Sequence, residues 1–170
     1  FHTVSGPLGA SRQDGWIELD FPAEPAEPAT AASVAILIEA LKVRPIFIGR
    51  NRLDFLVEVE SERIVRGLAP DLRLLAGLKE RGVMVTSRAH DPQYDFVSRF
   101  FAPGAGIDED PVTGSAHCCL GPYWGGKLGK EELTGWQASA RGGVVRVRLA
   151  GERVKLFGQA VTVLRGELRA

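Results

Sequence analysis

The chain has only two cysteines, Cys118 and Cys119, and they are adjacent. Adjacent thiols cannot form a disulfide with each other without strain. The sequence also lacks any pair of cysteines or histidines with the spacing of a zinc site. It therefore predicts neither a disulfide framework nor a metal centre, and we expect the reducing environment of the cytoplasm.

The chain also lacks an excess of charge of either sign, because 21 basic residues balance 21 acidic residues. Neutrality gives no support for a nucleic-acid partner or for an anionic membrane surface. No apolar run approaches the ~20 residues that span a bilayer, and no signal-peptide pattern is present. Nucleotide-binding glycine motifs are missing too, so we expect no organic cofactor.

What the sequence does contain is the pattern of an α+β protein. Residues 31–41, 61–68 and 71–79 have helical periodicity, and a short helix-compatible run follows at residues 116–120. We expect that run to be broken by the glycines at residues 125–129. Alternation of apolar and polar residues predicts strands at 1–4, 16–21, 46–48, 53–59, 83–86, 95–101, 136–140, 144–149, 154–157 and 160–168. The first two should form a hairpin, the glycine-rich residues 9–15 a turn region, and the last strands a meander.

Three charged side chains in or beside strands carry their own predictions. Glu58 should face water. Arg99 lies in an apolar strand, which predicts an ion pair with Asp95 or Asp110. Glu109 should be structural or solvated.

The most informative stretch is residues 100–123, FFAPGAGIDEDPVTGSAHCCLGPY. The end of a strand leads into a loop with three consecutive acids, the last of them Asp110, and then into a helix. A helix start offers N–H groups without internal partners and a partial positive charge. Small residues at Thr113, Gly114 and Ser115 would let an anion approach that backbone. The junction predicts either an anion site with an acid beside it or a plain helix N-cap.

The strings SRFFAP and GIDEDPVTGSAH resemble the signature of the PhzF-like family of phenazine biosynthesis. These are isomerase- and epimerase-like proteins with the diaminopimelate-epimerase type of fold. The resemblance implies one lobe of a two-lobed α+β fold, in which a barrel-type sheet wraps around a central helix. It implies that residues 1–14 are a strand remnant of the first lobe and residues 15–170 form the second lobe. It leaves open whether the last strand pairs with the first lobe.

The resemblance also implies an activity, which is proton transfer on a small carboxylated substrate without metal or cofactor. The second half of the family supplies an Asp, which corresponds to Asp110 as the catalytic residue. It also supplies binding groups, which correspond to Thr113, Gly114 and Ser115. The Glu that transfers the proton and the His that assists it lie in the first half of the family and have no counterpart here.

Because this chain lacks that Glu and also an initial Met, we expect the natural protein to be longer and the isolated chain to be inactive. We expect a homodimer or pairing with a missing N-terminal half. A non-catalytic binding or interaction protein that retains the fold is the main alternative. A thiol-dependent racemase ranks lowest, since an Asp occupies the helix entrance and Cys118 and Cys119 suit core positions.

Overall fold

One large mixed sheet and four helices make up most of the protein. The computed structural model describes residues 2–3 and 6–167. A separate two-stranded pair precedes the sheet, β1 (His2–Thr3) with β2 (Gly6–Pro7). The sheet itself has eleven strands: β3 (Gly9–Gln13), β4 (Trp16–Pro22), β5 (Glu27–Pro28), β6 (Pro45–Arg50), β7 (Asp54–Val59), β8 (Gly82–Arg88), β9 (Phe96–Ala102), β10 (Ile107–Asp110), β11 (Glu132–Gln137), β12 (Gly143–Ala150) and β13 (Arg153–Gly158). The helices are α1 (Ala31–Leu41), α2 (Glu62–Arg66), α3 (Leu72–Ala76) and α4 (Gly114–Leu128), and a 3-10 turn spans Pro103–Ala105.

The strand order is β3-β4-β13-β12-β11-β9-β8-β7-β6-β5, with β10 paired to β9. The β11–β9 and β7–β8 pairs are parallel, and the other pairs are antiparallel. This confirms the α+β class and the C-terminal meander. Over the residues described, β3 and β5 lie at opposite ends of the strand order, so the sheet does not close into a barrel.

The central strands are buried on both faces, which explains their nearly continuous apolar sequence. One face carries Leu56, Met84 and Phe100, which pack with the residues of α4. The alternate positions, such as Val57 and Val85, pack under α1, α2 and α3 on the other face. Helix α4 therefore occupies the inner side of the sheet, between the C-terminal meander and the central strands.

Helix α4 is longer than the sequence predicted, because glycines were expected to end it. Gly121 and Gly125 lie inside the helix at its contact with β12. A Cβ at Gly121 would lie 2.7 Å from Cγ1 of Val147, and one at Gly125 would lie 2.5 Å from Cδ1 of Leu149. These glycines serve close packing, and the helix ends at Gly129, whose φ is +65°.

The N-terminal hairpin also differs from the prediction. Residues 9–13, expected to be a turn region, form β3 and pair with β4 through the turn at Asp14 and Gly15. The predicted strand at residues 1–4 lies partly outside the described residues, and its described part, His2–Thr3, pairs with β2. The division of the chain between residues 14 and 15 stays a prediction.

Other differences concern the ends of helices and strands and the buried face of α1. Residues 160–167 were predicted as part of a last strand, but they have no regular structure and are exposed, and residue 168 lies outside the described residues. In α1 the buried face contains Leu37 and Leu41, while the apolar Ile38 is 41% exposed. Helix α3 is capped by the side chain of Asp71, and it ends at its C-cap Gly77, short of residue 79 where the periodicity predicted its end.

Glu58 was predicted to face water, and this is wrong. It is 5% exposed, because it lies two residues after Leu56 and so points to the same inner face. Its carboxylate accepts hydrogen bonds of 2.6 Å from the hydroxyl of Tyr123 and from Nζ of Lys127, both on α4.

Within the described part of the chain, no helix is both long and apolar enough to cross a bilayer.

Candidate functional site

The candidate site lies where β10, the start of α4 and the end of β11 meet. Strands β10 and β11 occupy one edge of β9, one after the other, since Asp110 pairs with Phe100 and Gln137 pairs with Ser98. The three acids that were predicted to lie in a loop therefore belong to strand β10. This arrangement places Asp110 beside Gln137, a residue that sequence reasoning did not single out.

Gln137 ties the two ends of the loop between β10 and α4 together. Its Nε2 donates to the backbone oxygen of Asp110 at 2.7 Å and to Oγ1 of Thr113 at 3.1 Å. Its Oε1 accepts from the backbone nitrogen of Thr113 at 2.8 Å. Thr113 in turn donates through Oγ1 to Oδ2 of Asp110 at 2.7 Å. Gln137 is fully buried, so its two hydrogen bonds with Thr113 are shielded from water.

Thr113 occupies the N-cap position of α4 but does not cap the helix with its side chain. Its hydroxyl donates a hydrogen bond to Asp110, and its side chain accepts none from the helix backbone. The first N–H groups of a helix have no partners within the helix. Thr113 is therefore an N-cap residue by position without a side-chain hydrogen bond to the helix, and the N-terminus of α4 keeps its capacity to bind an anion.

The sequence QASARGG, residues 137–143, supports the same loop from outside. Ser139 donates through Oγ to the backbone oxygen of Pro111 at 2.8 Å and accepts from the nitrogen of Gly142 at 3.0 Å. Gly142 has φ +70°, a conformation that suits a tight turn. A Cβ on Gly143 would lie 2.5 Å from Cγ2 of Val112, so the turn contacts the loop directly.

An ion pair between the half-buried Arg81 and the buried Asp54 borders the helix start on its other side. Arg81 donates from Nε to Oδ1 of Asp54 at 2.9 Å and from Nη2 to Oδ2. The same Nη2 donates to Oγ of Ser115 at 2.9 Å. Asp54 is 1% exposed. Sequence reasoning missed this pair, although an acid at the start of a buried strand was a signal that a cation must lie nearby.

Ser115 and Arg81 line a pocket of about 160 Å³. The other walls come from Leu8, Phe21, Pro22, Glu24, Asn51, Arg52, Leu53, Asp54 and Cys118. Asp110 and Thr113 do not line this pocket, and Asp110 is half-buried on the β10 side of the helix start. The structure thus brings the four predicted site residues together around the first turn of α4, with only Ser115 facing the pocket.

Arg99 has a different partner from either one predicted. It binds Glu109 through two hydrogen bonds, of 2.7 Å from Nε and 2.8 Å from Nη2. Side chains alternate along β10, so Glu109 and Asp110 point to opposite faces. Asp95 is engaged by Nζ of Lys130 at 2.6 Å. Glu109 is therefore structural, as predicted.

The two thiols and the nearby histidine are core groups. Cys118 and Cys119 are 3% and 0% exposed, and burial raises the pKa of each thiol to about 12. Both are protonated at neutral pH, which removes the basis for a thiol-dependent racemase. His117 is fully buried with Nδ1 2.8 Å from the backbone oxygen of Thr113, and burial lowers its pKa to about 4.

Across residues 2–3 and 6–167 there is no group of three or more His, Cys, Asp or Glu side chains that could hold a metal ion.

Comparison with known proteins identifies relatives over nearly the whole chain. The family model described as "Phenazine biosynthesis-like protein" matches residues 2–166. A protein of Halalkalibacterium halodurans named an uncharacterized isomerase is 51% identical over 99% of this chain and 63% of its own length. Another uncharacterized isomerase, from Pseudomonas aeruginosa, is 49% identical with the same coverage. The chain thus spans less than two thirds of the length of these curated relatives.

Solved structures agree with these relatives. A PhzF-family protein of Enterococcus faecalis has a TM-score of 0.88 and 34% identity, and the match covers 100% of this chain and 64% of that one. A PhzC/PhzF protein of Clostridium difficile has a TM-score of 0.84 and 35% identity, and 64% of its chain is covered. The resemblance to the PhzF-like family is therefore confirmed, together with a sheet-dominated α+β fold like that of the solved PhzF proteins.

Proposed function

Because the chain belongs to the phenazine-biosynthesis-like family of PhzF proteins, we propose that it is the substrate-binding part of a proton-moving isomerase. The names of the bacterial relatives support the reaction class. The substrate we propose is a small carboxylated metabolite. The enzyme would remove a proton from one atom of this substrate and deliver a proton to another position. Such a reaction needs a base and donors to developing negative charge, and it requires no metal or organic cofactor.

The observation that carries this proposal is the use of the Thr113 hydroxyl. It donates to Asp110 and leaves the N-terminus of α4 without a side-chain cap. Gly114, which follows, has no side chain to keep a ligand away from the backbone. The N–H groups of Gly114 and Ser115 would bind the substrate carboxylate, with Thr113 holding the loop.

Asp110 has the role of an acid or positioning group beside that anion site. The Thr113 hydroxyl and Gln137 fix its side chain and its backbone oxygen respectively. One carboxylate oxygen, Oδ2, is engaged by Thr113, so Oδ1 would hold a polar group of the substrate or a proton in transit. Fixing a charged group before the substrate arrives avoids reorganisation during the reaction.

The remaining parts of the proposal concern what this chain works with. We infer that it forms one lobe of a two-lobed, diaminopimelate-epimerase-like protein, and that the proton-transferring Glu lies on the other lobe. The relatives, of which the chain spans 63% to 65%, have the length for this. The protein would work in the cytoplasm as a homodimer, or this chain would pair with an N-terminal half.

Hydrogen exchange tests the proposal. The protein encoded by the complete reading frame would be incubated in D₂O with a panel of small amino, hydroxy and unsaturated carboxylates, and deuterium in carbon-bound positions measured by mass spectrometry. We expect incorporation into at least one compound, and a rate at least about 100-fold lower in Asp110→Asn. Asp108→Asn, an exposed change two residues away, is the matched control and should exchange like the wild type.

Equal rates of deuterium incorporation in the two variants would show that Asp110 takes no part in the reaction. If no compound exchanged although one of them bound at the α4 N-terminus, the protein would be a binding module that retains the fold.

A further inference from the structure

We infer that Arg81 is a positioning residue that acts through Ser115, and that it makes the Ser115 hydroxyl a donor to the substrate carboxylate. This rests on the proposed anion site at the start of α4. The inference adds a residue outside the loop 110–115 and states the direction of one hydrogen bond in the occupied site.

Arg81 and Asp54 meet because of the sheet topology. Strands β7 and β8 are parallel, and Asp54 pairs with Gly82. Both strands therefore begin at the same edge of the sheet, where Arg81 directly precedes β8. The backbone nitrogen of Arg81 also donates to the oxygen of Leu53 at 2.8 Å. Backbone and side chain are thus both fixed at the base of the pocket.

The guanidinium has little rotational freedom in this position. Two hydrogen bonds, from Nε and Nη2, join it to the buried carboxylate of Asp54. Such bidentate pairs fix the plane of the guanidinium. Its carbon also lies 5.6 Å from the ring centre of Phe100. The remaining hydrogen on Nη2 points to Oγ of Ser115 at 2.9 Å.

This geometry decides the direction of the Ser115 hydroxyl. An arginine has five N–H donors and no acceptor, so Ser115 can only accept from it. The hydroxyl hydrogen of Ser115 must then be donated elsewhere, and Ser115 lines the pocket. A carboxylate bound at the N–H groups of Gly114 and Ser115 would receive that hydrogen as a third hydrogen bond.

Arg81 also balances the acids around the site. The pKa of Arg81 is raised, and the largest cause is its hydrogen bonding to Asp54. Desolvation lowers this pKa, whereas the negative charges of Asp54, Asp110 and Glu24 raise it further. The side chain therefore stays protonated at every accessible pH. Its charge offsets carboxylates that would otherwise repel an anionic ligand.

A double-mutant cycle with malonate as the probe tests the inference. Binding to the protein of the complete reading frame would be measured by NMR titration of the Gly114 and Ser115 amides. We expect Ser115→Ala to weaken malonate binding about tenfold. Arg81→Lys keeps the charge but cannot hold Asp54 and Ser115 at once, so it should weaken binding to a similar extent. The double variant should bind no worse than Ser115→Ala alone.

Loss of folding would be distinguished from loss of positioning by two further variants. The pair Asp54→Asn with Arg81→Gln leaves no unpaired buried charge, and it should fold while binding malonate as weakly as Ser115→Ala. Arg50→Lys alters an exposed ion pair with Glu80 and should bind as the wild type does. Once a substrate is known, Arg81→Lys should raise KM more than it lowers kcat, a split that a purely structural role would not produce.

Three results would overturn the inference. Wild-type malonate affinity in Arg81→Lys would show that the guanidinium, which holds Asp54 and Ser115 at once, is not needed. A further tenfold loss from Arg81→Lys in the Ser115→Ala background would show that Arg81 touches the anion itself. If malonate shifted neither amide and Ser115→Ala had no effect, the anion site of the proposed function would fail, and the inference would fail with it.

Discussion

The backbone nitrogen of Thr113 lies 2.8 Å from Oε1 of Gln137, across 24 residues of sequence. The amide nitrogen of the same side chain reaches the oxygen of Asp110. A single buried glutamine therefore fixes both ends of the loop that begins helix α4. The position of the proposed anion site depends on this residue, although it touches no part of the pocket.

Replacing Gln137 by Leu should destabilise the protein strongly. The change keeps the volume similar but leaves the Thr113 nitrogen and the Asp110 oxygen buried without partners. Each unsatisfied group costs ~1–3 kcal/mol, so we expect a loss of about 3 kcal/mol in the free energy of unfolding. Urea titration measures it, with Gln93→Leu as the control because Gln93 is exposed. Equal midpoints for the two variants would show that water replaces the glutamine bonds.

Replacing Gly114 by Ala should affect binding and leave stability nearly unchanged. A Cβ there would lie 3.7 Å from Cδ1 of Leu156 and 3.8 Å from Cε2 of Phe21, which are ordinary contacts. Because Phe21 is also a wall of the pocket, the methyl group would stand beside the proposed carboxylate. We expect malonate affinity to fall about tenfold, which corresponds to 1.4 kcal/mol, with a thermal midpoint within a few degrees of wild type.

Gly121→Ala in the same helix is the contrasting variant. Its Cβ would lie 2.7 Å from Cγ1 of Val147, so the change should lower stability by ~1–3 kcal/mol through overpacking. Malonate affinity should be preserved in the fraction that folds. A Gly114→Ala variant that bound malonate as tightly as the wild type would place the ligand away from this backbone.

Sequence reasoning identified the start of α4 because its signals are local. The start of α4, the acid at Asp110 and the turn at Gly142 each depend on residues within a few positions of one another. The helix end was misjudged because Gly125 was read as a local breaker, whereas it contacts β12. That contact depends on how the sheet packs against α4, which no short window of sequence contains.

The partners of buried charges were also beyond a local reading. Asp54 and Arg81 meet because β7 and β8 are parallel, and Gln137 meets Asp110 because β10 and β11 share an edge of β9. All six residues of β7 are buried, and the sequence around the strand does not show that polar groups of α4, Tyr123 and Lys127, face Glu58. Glu58 was therefore assigned to water instead of to α4.

Stability should depend on pH through His117, whose pKa is lowered from 6.5 to about 4 by burial. Between these pH values the unfolded chain binds a proton that the folded chain does not. The contribution of the neutral imidazole is complete above pH 6.5, falls as the pH drops toward 4, and is constant below that. The change amounts to up to about 3 kcal/mol.

Urea titrations from pH 7.5 to 4 on the wild type and on His117→Gln measure this effect. As the pH falls, the wild type should lose up to that amount of free energy of unfolding relative to His117→Gln. Parallel profiles would show that His117 gains its proton in the folded protein, through water reaching Nε2, which is buried and has no partner in the described residues.

The ion pair of Glu58 and Lys127 should respond unequally to loss of its two members. Glu58 is 5% exposed, while the Lys127 side chain is 41% exposed and can reach water when its partner is removed. Lys127→Met would leave a buried carboxylate with only the Tyr123 hydroxyl as a donor, so we expect a loss of ~2–3 kcal/mol. Glu58→Gln keeps an acceptor for Tyr123 and should cost about 1 kcal/mol.

Lys130→Met is the matched control, because Lys130 is a similar lysine whose partner is less buried. Its ammonium pairs with Asp95, which is 13% exposed at the side chain and also accepts from the backbone nitrogen of Thr134. Loss of that pair should cost under about 1 kcal/mol. If Glu58→Gln proved as costly as Lys127→Met, the attraction between the charges of Glu58 and Lys127 would outweigh the cost of burying the Glu58 carboxylate. The ion pair would then stabilise the packing of α4 on β7, and Lys127 would do more than compensate for the burial of Glu58.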